Sequence, residues 1–218
     1  MISLRNASKV YHQSGEDITL FRNISFVVET GKKVAIIGPS GSGKTTLLSL
    51  LAGLEPPTEG TLFWGESDFF ALPETEKNNI RRHEMGFVFQ NFELFDSFTA
   101  LENVLLPLEL LGTVEEKKAA MMIAAVGIEH RKNAYPTEMS GGEQQRVAIA
   151  RALVHHPKVI FADEPTGNLD KNTAKKVLDL LVDTLSPEQS LIMITHDTTA
   201  TERMDEIWSI EDERLIRI

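Results

Sequence analysis

Apolar and polar residues alternate over the first thirty residues, as Ile24, Phe26 and Val28 illustrate. A period of two is typical of antiparallel strands with one buried face, so this segment predicts a small β subdomain. A continuous apolar run at residues 34–37 ends at Gly38 and predicts a buried strand that leads into a glycine-rich loop. The leucines of residues 45–54 recur at helical spacing and predict a helix directly after that loop.

Strand patterns are absent between about residues 99 and 153, where apolar positions recur with the helical period. We therefore expect a helical subdomain over about residues 95–155, inserted into a single domain of residues 1–218. Its helices include one at residues 115–126, for which Gly127 is a plausible C-terminal cap.

Strands are predicted again at residues 159–162 and 191–195, separated by a helix at residues 173–185. Strands that alternate with helices form parallel sheets, so the predicted fold class is α/β with a mostly parallel sheet. In such sheets ligands bind at the carboxyl ends of the strands. Polar groups follow three of the predicted strands, at Gly38, Asp163 and His196.

The composition narrows the class of function. The 218 residues carry a formal net charge of -10, which argues against binding to nucleic acid or to an anionic membrane, since both need a basic surface. There is no cysteine, so disulfides, thiolate zinc sites and cysteine nucleophiles are excluded. Neither a secretion signal nor a long apolar stretch is visible, so we expect a cytoplasmic protein without direct membrane insertion.

Residues 38–45 fit the phosphate-binding pattern G-x-x-x-x-G-K-[ST] in full. Glycines let the backbone direct N–H groups at phosphates, and the ammonium group of Lys44 would bridge the β- and γ-phosphates. The Thr45 hydroxyl would bind Mg²⁺. A glycine- and serine-rich surface turn is the alternative, which the flanking apolar strand and helix disfavour. The candidate nucleotide contacts are Gly38, Pro39, Ser40, Gly41, Ser42, Gly43, Lys44, Thr45 and Thr46, the last beside the α-phosphate.

Two acidic residues end the predicted strand at residues 159–162. Asp163 follows four apolar residues, where a carboxylate is costly unless it is paired or binds a metal ion, so it is a candidate to hold Mg²⁺ either directly or through the groups that bind the ion. Glu164 would polarise an attacking water molecule as a general base. A solvated acidic turn after a core strand is the alternative interpretation.

Residues 140–143 form a Ser-Gly-Gly-Glu run ahead of a predicted helix. Ser140 and Glu143 have the spacing of a capping box, which alone is a common structural feature. Gly141 and Gly142 cost helix stability but permit close approach, so the run predicts a second anion-binding turn. One copy of the chain has no need for a second phosphate-binding turn, so we expect two copies to act together.

In order and spacing these motifs resemble the ATP-binding subunits of ATP-binding-cassette (ABC) transporters, over nearly the whole chain. The resemblance implies a P-loop NTPase core and an Mg²⁺-dependent ATPase that forms a homodimer on ATP binding. Each nucleotide would lie between the phosphate loop of one copy and residues 140–143 of the other. The family usually has leucine in place of Met139 and glutamine in place of Glu143, and we expect both substitutions to preserve the turn.

The resemblance assigns roles to three further residues. Gln90 resembles the family's glutamine that senses Mg²⁺ and the attacking water, although an ordinary loop residue is the alternative. His196 matches the switch histidine that contacts the γ-phosphate, whereas most isolated histidines are structural. Tyr11 resembles the aromatic residue that stacks on adenine, with packing in a strand as the competing interpretation. Residues 168–170 match the loop through which the two subunits communicate.

Residues 100–104 and 165–170 look like the subgroup that includes lipoprotein-release and MacB-type ATPases. We therefore expect integral membrane permease subunits as partners, which would hold the chain at the inner face of the cell membrane for export or extraction. The loop after Gln90 and the helical subdomain would contact the permease. An apolar cluster in that loop would serve this contact, unless it packs in the core: Phe92, Leu94, Phe95 and Phe98.

Three other classes of function make their own demands on these residues. A regulatory ATPase that moves an envelope or cell-division partner without cargo would use the same residues and stays open. A soluble ATPase of DNA repair or translation typically carries long coiled coils or tandem cassettes, and neither is visible. A P-loop kinase would have no use for residues 140–142.

Overall fold

The structure is a computed structural model that describes residues 1–13 and 16–218. The chain divides into two compact units. The first unit comprises residues 1–81 and 190–218, and the second comprises residues 82–189. The expected single domain of residues 1–218 with an inserted helical subdomain therefore stays a prediction.

The elements are numbered in chain order. The strands are β1 (Ile2–Gln13), β2 (Glu16–Val28), β3 (Lys33–Ile37), β4 (Glu59–Trp64), β5 (Ser67–Asp68), β6 (Met85–Phe89), β7 (Val159–Asp163), β8 (Ser190–Ile194), β9 (Glu206–Glu211) and β10 (Arg214–Arg217). The α-helices are α1 (Lys44–Leu51), α2 (Glu74–Glu84), α3 (Ala100–Leu110), α4 (Glu116–Ala125), α5 (Gly141–Leu153) and α6 (Lys171–Thr184). Short 3₁₀ segments lie at Phe69–Ala71, Glu129–Arg131, Pro136–Glu138 and Thr198–Arg203.

In the first unit, four strands form an antiparallel sheet in the order β2-β1-β4-β5. Leu4 of β1 pairs with Phe26 of β2 and with Leu62 of β4, and all three side chains are buried. The alternation predicted for β2 is present, since Phe26 and Val28 are buried while Val27 is 47% exposed. The predicted N-terminal antiparallel β subdomain is confirmed.

The first unit also contains a strand group in which β3 lies between β8 and β9 and runs parallel to both. Val34, Ala35 and Ile36 are fully buried, and so are residues 191–194. Consecutive side chains of a strand point to opposite faces, so both faces of this group are covered. This explains the continuous apolar runs and confirms the predicted α/β class with parallel strands.

In the second unit, β6 and β7 pair in parallel from Met85–Val159 to Phe89–Asp163. Helix α3 packs against α4 and α5 through buried apolar side chains such as Val104, Ile123 and Ile149. Residues 95–155, all of which the structure describes, form helices and turns but no strand.

Helix boundaries shift from the predicted ones for local reasons. Helix α1 ends at Leu51 because Gly53 adopts a left-handed φ of 61°, and a Cβ there would lie 2.2 Å from the Phe69 ring. Helix α6 begins at Lys171, earlier than predicted, because Asp170 accepts hydrogen bonds from the N–H groups of Asn172 and Thr173.

Over the described ranges, none of the helices is both long enough and apolar enough to cross a bilayer.

A buried asparagine fixes the segment that leads into α3. Asn103 is fully buried, and its Oδ1 accepts a hydrogen bond from the Phe95 N–H at 2.9 Å. Its Nδ2 donates to the carbonyl oxygens of Phe95, Phe98 and Thr99. One side chain therefore satisfies backbone groups from three residues, which water would otherwise have to satisfy.

We expect Asn103→Leu to lower the free energy of unfolding by about 2–3 kcal/mol, because buried backbone groups would lose their partners while the side-chain volume changes little. Urea unfolding measures this difference. Asn172→Leu, on the exposed side of α6 in the same unit, is the control and should change stability by less than about 0.5 kcal/mol. Equal effects of the two substitutions would contradict this role of Asn103.

Candidate functional site

The phosphate-loop motif lies in the first unit, between the end of β3 and the start of α1. Gly41 and Gly43 adopt left-handed φ angles of 81° and 90°, which explains why glycine occupies both positions. No side chain of the described residues caps α1, and its first turn contains no acidic residue. The first N–H groups of α1 therefore form a positive helix end that is suited to an anion.

Lys44, the first residue of α1, is only 7% exposed. Its Nζ donates hydrogen bonds to the carbonyl oxygens of Gly38 and Pro39, both at 2.9 Å. These acceptors are neutral, so they do not compensate the charge of the ammonium group. Ser42 Oγ is also buried and has no hydrogen-bond partner within the described part of the chain. Phosphate oxygens would supply both the counter-charge and an acceptor, so these residues fit a phosphate chain.

His196 follows β8, the neighbour of β3. The Thr195 N–H donates to the Ile36 carbonyl at 3.2 Å, so the carboxyl ends of the two strands lie side by side. The Asp197 N–H donates to Thr195 Oγ1 at 3.0 Å and fixes the turn, while the His196 side chain is exposed. The first unit thus places His196 and the phosphate loop at the same edge of the parallel strands.

Tyr11 lies on β1 and is 37% exposed, so it is not part of the buried core. Its hydroxyl donates to the carboxylate of Glu55, with both oxygens at 2.8 Å. Burial is the largest cause that raises the pKa of Tyr11, followed by this hydrogen bond. A large ring is therefore held at the surface of the unit that contains the phosphate loop.

The second unit brings Gln90, Asp163 and Glu164 together. Phe89 and Asp163 are paired residues at the ends of β6 and β7, so Gln90 and Glu164 are the next residues beyond that pair. Glu164 adopts a left-handed φ of 44°, a conformation that costs a non-glycine residue on the order of 1 kcal/mol. Such strain is common at functional sites, and here it directs the backbone from β7 into the following turn.

Gln90 is bound to Asn168 in this structure. Gln90 Nε2 donates to Asn168 Oδ1 at 3.1 Å, and Asn168 Nδ2 donates to the Gln90 carbonyl at 3.1 Å. Asn168 Nδ2 also lies 2.9 Å from Asn91 Oδ1. A Cβ on Gly167 would lie 2.8 Å from Gln90 Nε2, so this glycine leaves the space in which the Gln90 side chain lies. The sequence did not predict this pairing.

Ser140 caps α5 through the predicted capping box. Its hydroxyl donates to Glu143 Oε2 at 2.8 Å and accepts from the Glu143 N–H at 3.4 Å. Arg131 Nε donates to Glu143 Oε1 at 2.8 Å. The Arg131 side chain, followed by the Ser140 N–H, lowers the pKa of Glu143 from its ordinary value of 4.5 to about 2. Arg131 thus binds this turn through Glu143, and the sequence motifs did not identify it.

The two glycines after Ser140 have a packing role inside the second unit. A Cβ on Gly142 would lie 2.6 Å from Thr173 Cγ2, and one on Gly141 would lie 3.3 Å from Leu169 Cδ2. The glycines therefore let the start of α5 approach residues 169–173. This requirement accounts for the glycine pair without a ligand, and close approach to a ligand remains compatible with it.

The candidate Mg²⁺ ligands do not form a metal cluster among the described residues. Within residues 1–13 and 16–218, no three histidine, aspartate or glutamate residues are grouped so as to hold a metal ion. Asp163 and Gln90 lie at neighbouring strand ends in the second unit, and Thr45 lies exposed on α1 in the first unit.

Comparisons with known proteins extend these observations. The family model described as "ABC transporter" matches residues 21–167. The chain is 44% identical over 211 residues to the lipoprotein-releasing system ATP-binding protein LolD of Legionella pneumophila (strain Paris), covering 95% of this chain and 93% of that protein. It is 40% identical over 221 residues to the protein of the same name from Pseudomonas syringae pv. tomato, with 99% and 97% covered.

A solved structure is similar over almost its full length. It is a dimeric structure of a post-hydrolysis state of the ATP-binding cassette MJ0796 bound to ADP and Pi. The TM-score is 0.89 with 37% sequence identity, and the match covers 99% of this chain and 96% of that one. The similarity therefore extends far beyond the phosphate loop.

The lowered pKa of Glu143 leads us to expect a specific pH dependence of stability. Because its folded-state pKa is lowered to about 2, its contribution is fully present above pH 4.5 and is lost as the pH falls toward 2. We expect Glu143→Gln to cost about 1–2 kcal/mol of unfolding free energy at pH 7, after allowance for solvent screening of the partly exposed Arg131.

Urea unfolding of wild type and Glu143→Gln between pH 7 and pH 3 measures this dependence. The difference between the two proteins should shrink as the pH falls below 4.5. Glu188→Gln, at an exposed position before β8, controls for the loss of one negative charge. A difference for Glu143→Gln that stays constant down to pH 3 would contradict the low pKa.

Proposed function

The chain belongs to the ABC transporter family, and we propose that it binds ATP with Mg²⁺ at residues 38–46 and hydrolyses it to drive a separate membrane protein. The observation that supports this most strongly is the phosphate loop itself. Among the described residues, its buried Lys44 ammonium group has only neutral hydrogen-bond acceptors, and no side chain caps the N-terminus of the helix that Lys44 begins. Both features favour a bound polyphosphate.

In this proposal the N–H groups of residues 40–46 bind the phosphate oxygens, and Lys44 exchanges its two carbonyl acceptors for the β- and γ-phosphates. Thr46 lies beside the α-phosphate. The Ser42 hydroxyl gains the acceptor that it lacks in the unliganded loop. Tyr11 stacks on the adenine base at the surface of the same unit.

The residues available for Mg²⁺ fit a cation that is held mainly by phosphates and water. Proteins usually bind such an ion through one or two side chains together with the nucleotide, so the lack of a cluster within the described ranges agrees with it. We assign the Thr45 hydroxyl and Asp163 as ligands, with Gln90 as a further oxygen donor. When bound, Mg²⁺ would neutralise charge that develops on the phosphates.

Glu164 and His196 would act on the reacting groups. Glu164 accepts a proton from the attacking water. The left-handed backbone conformation at this residue sets the direction in which its side chain leaves the backbone. His196 contacts the γ-phosphate from the end of β8. Gln90 would orient the water, and its amide would then have to leave Asn168 Oδ1.

We further propose that two copies act together on ATP, each nucleotide lying between the phosphate loop of one copy and Ser140, Gly141, Gly142 and Glu143 of the other. Ser140 already stands at a helix N-terminus, where backbone N–H groups favour an anion. The solved cassette to which the chain is similar is dimeric and holds ADP and Pi.

For the partner we propose integral membrane permease subunits that extract or export lipoproteins, with the chain bound at the cytoplasmic face of the membrane through them. Two relatives that are 44% and 40% identical over nearly the whole chain are named as ATP-binding proteins of lipoprotein-releasing systems. Phe95, 50% exposed beside the half-buried Phe98, is available for that contact.

We expect Glu164→Gln to lower the rate of ATP hydrolysis about 10²–10⁴-fold while ATP affinity changes little, because it removes a general base and leaves the phosphate loop intact. Phosphate release measures the rate of hydrolysis, and a nucleotide-binding assay measures the affinity for ATP. Glu115→Gln, an exposed residue before α4, is the control. Unchanged turnover in Glu164→Gln would remove Glu164 from its assigned role.

The proposed cargo is tested by purifying the chain with its membrane partner and reconstituting the complex in lipid vesicles. ATP hydrolysis should release an acylated lipoprotein from the membrane, and the same lipoprotein should stimulate hydrolysis. Hydrolysis that is coupled to the partner but indifferent to any lipoprotein would favour a mechanical role without cargo.

A further inference from the structure

Three side chains of the first unit form a cluster in which Tyr11 is joined by two residues that no recognised motif contains. We name it the tyrosine anchor: Lys9, Tyr11 and Glu55. Lys9 Nζ lies 2.6 Å from Glu55 Oε1 and donates to the Pro56 carbonyl at 2.9 Å. The Tyr11 hydroxyl lies 2.8 Å from both oxygens of the same carboxylate. Glu55 therefore binds a phenol and an ammonium group at the same time.

The tyrosine anchor fixes the orientation of the Tyr11 ring. The hydroxyl is bound at one end, and Lys9 Nζ lies over the ring at 4.9 Å from its centre. Lys9 is itself 7% exposed, so the cation is held rather than mobile. One ring face is thus covered by the cation, whereas 37% of the residue remains exposed. The exposed part of a ring fixed in this way is available to a planar group.

The tyrosine anchor is also connected to the phosphate-binding helix. The side chain of Thr46, two residues after Lys44 on α1, opposes the rise in the pKa of Tyr11 and so lies near its hydroxyl. Glu55 follows α1 by four residues, and Lys9 and Tyr11 lie on β1. The ring is therefore held by Glu55, which follows the helix whose N-terminus would receive the phosphates.

We infer that Glu55 and Lys9 are positioning residues that hold Tyr11 as a preformed stacking surface for the base of the nucleotide. The inference rests on the proposed function, because it needs a nucleotide at residues 38–46. A ring that is already fixed loses little conformational freedom when a base stacks on it, so its contribution to affinity is larger than that of a mobile ring.

The alternative is that Glu55 only ties the turn after α1 to β1. That role would affect the loop and all of its ligands equally. The positioning role affects only ligands that carry a base. Inorganic triphosphate has the phosphates of ATP and no base, so it separates the two roles.

The experiment measures the affinities of ATP and inorganic triphosphate by calorimetry for wild type, Glu55→Gln, Tyr11→Phe, Tyr11→Ala and the Tyr11→Phe/Glu55→Gln double variant. We expect Tyr11→Ala to weaken ATP binding about tenfold and Glu55→Gln or Tyr11→Phe about threefold to fivefold. Triphosphate affinity should stay within about twofold of wild type in every variant, which also shows that the loop is folded. Glu59→Gln, exposed at the start of β4, is the control.

The double variant should bind ATP no more than about twofold more weakly than either single variant, because both substitutions remove the same hydrogen bond. Unchanged ATP affinity in Glu55→Gln, an equal loss of triphosphate affinity, or effects that multiply in the double variant would each overturn the inference. A wild-type chain that binds triphosphate but shows no preference for ATP would also overturn it. Failure of the wild type to bind either ligand would instead refute the proposed function.

Discussion

Within the part of the chain that the structure describes, the buried Lys44 ammonium group contacts only neutral acceptors, and the proposed function depends on this arrangement. Strand β3 is covered on both faces and α1 buries four leucines, so the two elements that flank the phosphate-loop junction are anchored in the core. Lys44 begins α1 at that junction, and its charge is met by two carbonyl groups of its own loop. A cation in such surroundings is stabilised strongly by an anion. Under the proposed function, the fold thus prepares the loop for phosphate before any ligand arrives.

The second unit contains groups that are already bound to one another. The Ser140 hydroxyl donates a hydrogen bond to Glu143, and the Gln90 amide group donates one to Asn168. Under the proposed function, Ser140 and Gln90 would each exchange an internal partner for a ligand. The cost of breaking these hydrogen bonds opposes association of the two copies before ATP is bound. Because Asn168 also holds the Gln90 carbonyl, movement of residues 165–170 would be transmitted to Gln90 directly.

Features that depend on neighbouring residues were predictable from the sequence. The phosphate loop, the capping box of Ser140 and Glu143, and the buried strands β3, β7 and β8 each have a local pattern. Family membership confirms the recognised ABC class and its ATPase activity. The roles of single residues such as His196 and Gln90 stay predictions.

Two kinds of feature were not predictable: contacts between residues that are far apart in the sequence, and elements without a hydrophobic pattern. Within Glu74–Glu84, all of which the structure describes, only Lys77 is buried. Helix α2 therefore lacks the apolar face whose periodic pattern would have predicted a helix. Glu55 and Tyr11 are 44 residues apart, and Gln90 and Asn168 are 78 apart, so only folding brings each pair together. The packing of Gly142 on Thr173 likewise needs the fold, which is why the sequence indicated only a ligand as the reason for this glycine.

Under the proposed function, two copies of the chain enclose ATP between the phosphate loop of one and the Ser140 turn of the other. Sedimentation velocity of Glu164→Gln at saturating Mg²⁺ and ATP tests it most directly. The account predicts a dimer that holds two nucleotides and returns to monomer when ATP is removed. A variant that binds ATP fully and still sediments as a monomer would contradict it.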